Sequence, residues 1–229
     1  MTTQVAILAA GMGTRLGRPF PKPLTPLRDG QTIMEQQVSK IRSTFADAQL
    51  YITVGFKLEM IMEAQPRALF VYNEVYDQTN TSKSLLRVLR QSGDGGVLWM
   101  NGDVVFDPQI LERVRPLIEA GTSFVCVNTA KVAEEEVKYT VDGDGFIDQL
   151  SKKVENALGE AVGINYVAAA DKAALIARLD EVPDQEYFEG GIELAIANDG
   201  VKFTPVDISD LWAVEVDFAD DLERANEHV

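Results

Sequence analysis

The sequence predicts a three-layer α/β/α fold: a mostly parallel sheet with helices on both faces and a small β-hairpin insertion. Three observations predict it. Val5 to Ala10 is an unbroken apolar run of strand length, the pattern of a strand buried on both faces. Strand and helix patterns then alternate as far as Thr129, as βα units do when they build a parallel sheet. Beyond Thr129 the rhythm changes, and Val137 to Val141 and Phe146 to Leu150 flank Asp142-Gly-Asp-Gly145, two strands about an Asp/Gly turn.

Each element follows from its pattern. Thr32 to Phe45 reads as a helix with Ile33, Gln37 and Ile41 on one side, Gln49 to Val54 as a strand and Lys57 to Gln65 as a short helix. Leu69 to Tyr72 is the next strand. Ser82 to Gln91 is helical, because Leu85, Leu86 and Leu89 are spaced for one buried face. Gly96 to Met100 is a short core strand, followed by helix Pro108 to Glu119 and strand Ser123 to Val127. After the hairpin come strand Ala161 to Ala168 and helices Lys172 to Leu179 and Glu186 to Ala197. Last is Trp212-Ala-Val-Glu-Val-Asp217, an alternating strand running into a helix whose first turn holds Asp220, Asp221 and Glu223.

Composition fits one domain over residues 1–229. With 46% hydrophobic residues the chain can bury one large core. No segment approaches the roughly 18 unbroken apolar residues of a membrane span, and no basic region precedes a long apolar stretch at the N-terminus; the expectation is a cytoplasmic protein. A net charge of −15 argues against nucleic acid and anionic membranes as partners. Cys126, the single cysteine, has no internal disulfide partner and reads as core packing. His228, the single histidine, stands beside the C-terminus, which argues against histidine acid/base chemistry and histidine metal sites.

The chemistry begins where the first strand ends. Gly11 and Gly13 allow close backbone approach beyond its carboxyl end, where open α/β sheets bind ligands, and backbone N–H groups can face phosphate oxygens there. Arg15 adds a planar fork for two oxygens and Lys22 a compact charge for one. Pro19, Pro21 and Pro23 stiffen the segment carrying Lys22. A dinucleotide fingerprint is excluded because Leu16 stands where its third glycine belongs, and no Gly-Lys-Ser/Thr completes a P-loop. The segment reads as a nucleoside triphosphate site; a tight turn with a surface arginine is the plainer alternative.

Two later carboxylates complete the pattern. Asn101-Gly102-Asp103 directly follows a core strand, placing a carboxylate where Mg²⁺ can bridge triphosphate oxygens, although Asn-Gly-Asp is also turn chemistry. Asp217 ends the last strand, where it can equally cap the helix that follows.

The run Leu8-Ala-Ala-Gly-Met-Gly-Thr-Arg15-Leu with Pro21-Lys22-Pro-Leu resembles the signature of the nucleotidyltransferases that activate phosphate monoesters and sugar 1-phosphates. The resemblance implies a Rossmann-like sheet of the nucleotide-diphospho-sugar transferase type. Carried over by position, it implies nucleotide contacts from Leu8, Ala9, Ala10, Gly11, Met12, Gly13 and Thr14. It implies Arg15 at the β- and γ-phosphates, Lys22 at the α-phosphate, and Mg²⁺ held jointly by Asp103 and Asp217.

Within that superfamily, Tyr72-Asn73 to Tyr76, Thr79 to Leu85, Val137 to Val141, Ile147 to Lys152 and Gly159 to Ile164 resemble segments of the bacterial choline-phosphate cytidylyltransferase type. That likeness adds Asn80, Ser84, Asn101 and Gly102 to the nucleotide side and Lys138 and Lys152 as candidates for the acceptor phosphate. Residues 1–129 then read as mainly nucleotide-binding, 130–211 as mainly acceptor-binding, and 212–229 as carrying the second metal aspartate and the C-terminal helix.

Tyr187, Phe188 and Glu189 could contribute to a cage for a quaternary ammonium or be core residues at a helix start. Relatives tend to carry a second acid after the glutamate, and here Gly190 stands instead, which opens the acceptor to amines, phosphonates, polyol phosphates and sugar phosphates. The implied reaction is transfer of CMP from CTP to a small phosphate or phosphonate acceptor, with release of pyrophosphate. Sugar-1-phosphate activation with UTP or dTTP and a noncatalytic nucleotide-binding role are the alternatives. Relatives often form homodimers, and no apolar stripe in the sequence demands one.

Overall fold

Val5 and Ile7 point into one buried cluster and Ala6 and Leu8 into another, as a strand covered on both faces requires. In the computed structural model, which describes residues 2–130, 132 and 136–229 apart from the Thr14 side chain, these residues form β1 (Gln4–Leu8). The chain continues through α1 (Ile33–Thr44), β2 (Gln49–Val54), α2 (Leu58–Ala64), β3 (Leu69–Tyr72), α3 (Thr81–Gln91), β4 (Val97–Asn101), β5 (Val104–Phe106), α4 (Gln109–Ala120) and β6 (Phe124–Asn128). It ends with β7 (Lys138–Val141), β8 (Ile147–Ser151), β9 (Gly159–Val167), α5 (Lys172–Glu181), α6 (Phe188–Asp199), β10 (Thr204–Asp207), β11 (Ala213–Glu215) and α7 (Ala219–Asn226).

The main sheet runs β10-β6-β9-β4-β1-β2-β3. β1 lies parallel to β2 and β4, β2 to β3, and β10 to β6, while β9 runs antiparallel between β4 and β6. Residues of α1, α2 and α4 pack on one face and of α3, α5 and α6 on the other. The hairpin β7–β8 turns at Asp142–Gly145, with Gly145 at φ 87°, and joins the sheet through β7 on β9. Among the described residues, no helix is long and apolar enough to cross a membrane.

Element ends follow local chemistry. Thr32 lies just before α1 as its cap: its Oγ1 accepts the Glu35 N–H, and its own N–H donates to Glu35 Oε2, a reciprocal capping box. The last strand is shorter than its alternation predicts. β11 stops at Glu215 and pairs antiparallel with β5 in a separate ribbon, because Asp217 and Phe218 turn their N–H groups to Asp221 Oδ2 instead. β5 and β10 were not legible as strands; β10 contains Pro205 and lies at the sheet edge, where a missing donor is tolerated.

Candidate functional site

The loop after β1 opens at the carboxyl end of a central strand. Ala9 N–H donates to the Thr53 carbonyl and Phe56 N–H to the Ala10 carbonyl, which leaves the loop from Gly11 onward to face a cleft of about 640 Å³. Gly13 has φ 58°, and a Cβ there would stand 2.9 Å from Lys22 Cβ, so the loop folds closely over the lysine. Lys22 opens a single 3-10 turn (Lys22–Leu24) after Pro21. Its position is fixed by backbone rather than by its flexible stem.

Asp103 comes from the other side of β1. Gly102 N–H donates to the Leu8 carbonyl, and Gln37 Nε2 donates from α1 to the Asn101 and Val104 carbonyls at 2.9 and 2.8 Å. Val216 N–H then donates to the Asp103 carbonyl, so the two-stranded ribbon brings Asp217 beside Asp103. Lys22 Nζ donates to Asp103 Oδ2 at 2.7 Å and Asp217 Oδ1 at 2.5 Å, and Arg15 Nη1 donates to Asp217 Oδ2 at 2.7 Å. The four residues read from the sequence as the chemical centre therefore meet in one cluster.

Its electrostatics follow from crowding. Burial pushes the Lys22 ammonium down, but Asp103 and Asp217 outweigh it and hold the pKa above the usual lysine range. Burial pushes Asp217 up, and Lys22 and Arg15 outweigh that and keep it below the usual carboxylate value. Glu215 goes the other way. Burial first, then Asp103, Glu136 and Asp217, hold it well above the usual range. Glu136 is raised by burial and by Glu160.

Asp103, Glu215 and Asp217 each offer a carboxylate oxygen, all within 4.8 Å of one another. This all-oxygen set suits a hard divalent cation such as Mg²⁺. Asp103 Oδ1 is buried with no hydrogen-bond partner, and the Lys22 ammonium already bridges the two aspartates. These residues fit a cation.

Leu8, Ala9, Gly11, Met12, Gly13, Arg15, Lys22, Asn80, Asn101, Gly102, Asp103, Lys152, Tyr187, Glu189 and Asp217 all line the cleft. Ala10, Ser84 and Lys138 do not stand in its wall. Ser84 is buried in α3, where its Oγ accepts from Asn73 Nδ2; Lys138 Nζ donates to the Lys152 carbonyl. The Thr14 side chain lies outside the described part of the chain. Phe188 is 1% exposed and meets Trp99 edge to face, so its ring belongs to the core rather than to a cage. Glu136 and Glu215, absent from the sequence reading of the site, also line the cleft; Gln37 was legible only as part of a buried helix face.

A glycine loop at the end of a central strand, with a lysine and an arginine meeting two aspartates, is the architecture of a nucleotidyltransferase. The chain belongs to the MobA-like NTP transferase domain family, whose profile matches residues 5–187. It is 27% identical over 97% of its length to CMP-5'-(3-aminopropyl)phosphonate synthase of Streptomyces rubellomurinus, and 34% identical over 46% of its length to the bifunctional protein GlmU of Methanococcus vannielii. It spans only 38% and 26% of those relatives.

Two solved structures share the fold. CTP:phosphocholine cytidylyltransferase from Streptococcus pneumoniae superposes with a TM-score of 0.77 at 16% identity, covering 100% of this chain and 99% of that one. Inositol-1-phosphate CTP transferase from T. maritima gives 0.77 at 14%, covering 100% and 98%.

Proposed function

We propose that residues 1–229 form one cytidylyltransferase domain that transfers CMP from CTP to a small phosphate or phosphonate acceptor and releases pyrophosphate. The observation that carries this reading is the convergence of Lys22 and Arg15 on Asp103 and Asp217 beside the glycine loop. The relative named as a CMP-phosphonate synthase supports the choice of cytidine and of acceptor class.

An acceptor oxygen attacks the α-phosphorus in line, and the bond to the pyrophosphate oxygen breaks. The acceptor oxygen is already anionic near pH 7, so no base is needed, and His228 is stacked on Trp212 rather than in the cleft wall. Lys22 exchanges its carboxylate partners for α-phosphate oxygens, and Arg15 turns from Asp217 to the departing pyrophosphate. Both cations stabilise charge where it develops. Asp103 and Asp217 would hold Mg²⁺, with Glu215 beside them. When bound, the ion supplies Lewis-acid neutralisation of phosphate charge.

The test is pyrophosphate release with Mg²⁺, crossing CTP, UTP, dTTP, ATP and GTP with phosphocholine, phosphoethanolamine, 2-aminoethylphosphonate, glycerol phosphate and glucose 1-phosphate, with Asp103→Ala as the blank. CTP-dependent release with a small phosphate or phosphonate, absent in the blank, supports the reading. Release only with the sugar phosphate and UTP or dTTP replaces it, and silence across the grid overturns it.

A further inference from the structure

Glu189 is 7% exposed, yet it lines the cleft, and its Oε2 has no hydrogen-bond partner. A buried acceptor without a donor is unfavourable until something in the cleft supplies one. Burial pushes this carboxyl up to about 7, against the pull of its own backbone amide and of Lys152. Glu136 and Glu215 line the same cleft.

The structure holds a primary ammonium in the same surroundings. Lys152 Nζ stands 5.1 Å above the Tyr187 ring, within the field of Glu189 and Glu136. Its stem is exposed, so the ammonium can swing toward an acceptor phosphate. A quaternary ammonium would need open aromatic faces. Lys152 stands over the Tyr187 face only until it swings away, and the Phe188 ring meets Trp99 edge to face. Tyr76 and Phe218 also line the cleft, so the choice between ammonium types falls to the unpaired carboxylate oxygen rather than to the aromatic wall.

We infer that the acceptor carries a primary or secondary ammonium remote from its phosphate or phosphonate, that Glu189 accepts one of its N–H bonds, and that this contact selects such amines over quaternary and uncharged acceptors. The inference rests on the nucleotidyl-transfer reading above. A trimethylammonium group has no N–H and leaves Oε2 unpaired, as does a plain alkyl group.

The experiment compares kcat/KM for CTP-dependent pyrophosphate release with 2-aminoethylphosphonate, its N,N,N-trimethyl derivative and ethylphosphonate, in the wild type and in Glu189→Gln. The amine is expected to be favoured over both analogues on the order of 10- to 100-fold, the worth of one hydrogen bond to a charged group. Glu189→Gln keeps an amide oxygen but loses the charge, and is expected to lower that preference at least about threefold, the difference between a charged and a neutral hydrogen bond. The wild-type ratios need no folded variant. Equal use of the three acceptors, or preference for the trimethyl compound, overturns the inference and leaves nucleotidyl transfer standing. A preference undiminished in folded Glu189→Gln overturns the role of Glu189, and silence with all three overturns the inference together with the acceptor class on which it rests.

Discussion

Replacing Lys22 by methionine removes the ammonium that bridges Asp103 and Asp217 while keeping most of the apolar stem. Two charge-assisted hydrogen bonds disappear, at 2.7 and 2.5 Å, each worth about 1.5–3 kcal/mol. The lysine and aspartate side chains are only 11%, 18% and 27% exposed, so water screens the loss little. Two effects offset part of it: the variant no longer desolvates an ammonium, and the carboxylates can take up a proton. A net loss of about 2–3 kcal/mol corresponds to roughly 5–10 °C in melting temperature for a chain of this size.

The same change frees the oxygens that a divalent cation would use. In Lys22→Met, millimolar Mg²⁺ or Mn²⁺ without nucleotide should raise the melting temperature more than in the wild type, where the cation competes with Lys22, because a ligand that binds only the native state stabilises it according to its affinity. Differential scanning fluorimetry with and without the cation reads both effects. A variant melting within about 1 °C of the wild type, or a cation increment no larger than the wild type's, would refute the clamp. The kcat/KM should fall by about 10²- to 10³-fold, as for loss of one preorganised transition-state donor.

Two further outcomes follow from single positions. Glu189 titrates near 7 in the fold against an ordinary value of 4.5, so the native state keeps a proton that the unfolded chain releases. Stability therefore declines as pH rises from about 4.5 to about 7 and is level above, by up to about 3 kcal/mol. Glu189→Gln should melt above the wild type at pH 8 and match it at pH 4.5 in thermal scans; a difference independent of pH would contradict this. At Gly102, a Cβ would meet the Leu8 carbonyl oxygen at 2.8 Å and Pro23 Cγ at 2.9 Å. Gly102→Ala should cost about 1–3 kcal/mol and, by displacing Asp103, shrink the cation-induced melting increment; an unchanged increment would show that Asp103 does not move.

The strands that bury both faces were legible because their apolar runs leave no polar side to place: Val5 to Leu8 fills two separate clusters as the pattern required. β5 was not, since three residues after Asp103 are too few for any period to show. The cluster of Arg15, Lys22, Asp103 and Asp217 was legible through motif resemblance, but the bridging of two carboxylates by one ammonium is a tertiary fact. The same limit hid Glu215, whose position beside the aspartates depends on ribbon pairing. Ser84, a nucleotide candidate by resemblance, accepts from Asn73 in the interior, a contact that the sequence does not show. At Tyr187-Phe188-Glu189 the residue types allowed cage or core: all three border the cleft, but the Phe188 ring is almost fully buried and meets Trp99 edge to face.

The ribbon of β5 and β11 has a consequence for the order in which the protein becomes competent. Lys22 meets a partner 81 residues away and another 195 residues away, and the second arrives only when β11 docks on β5. A nascent chain can complete β1, β2, β3 and β4 long before Asp217 has been synthesised. The carboxylate pair that Lys22 bridges is thus drawn from distant parts of the sequence, and the bridge closes only once β11 has docked on β5.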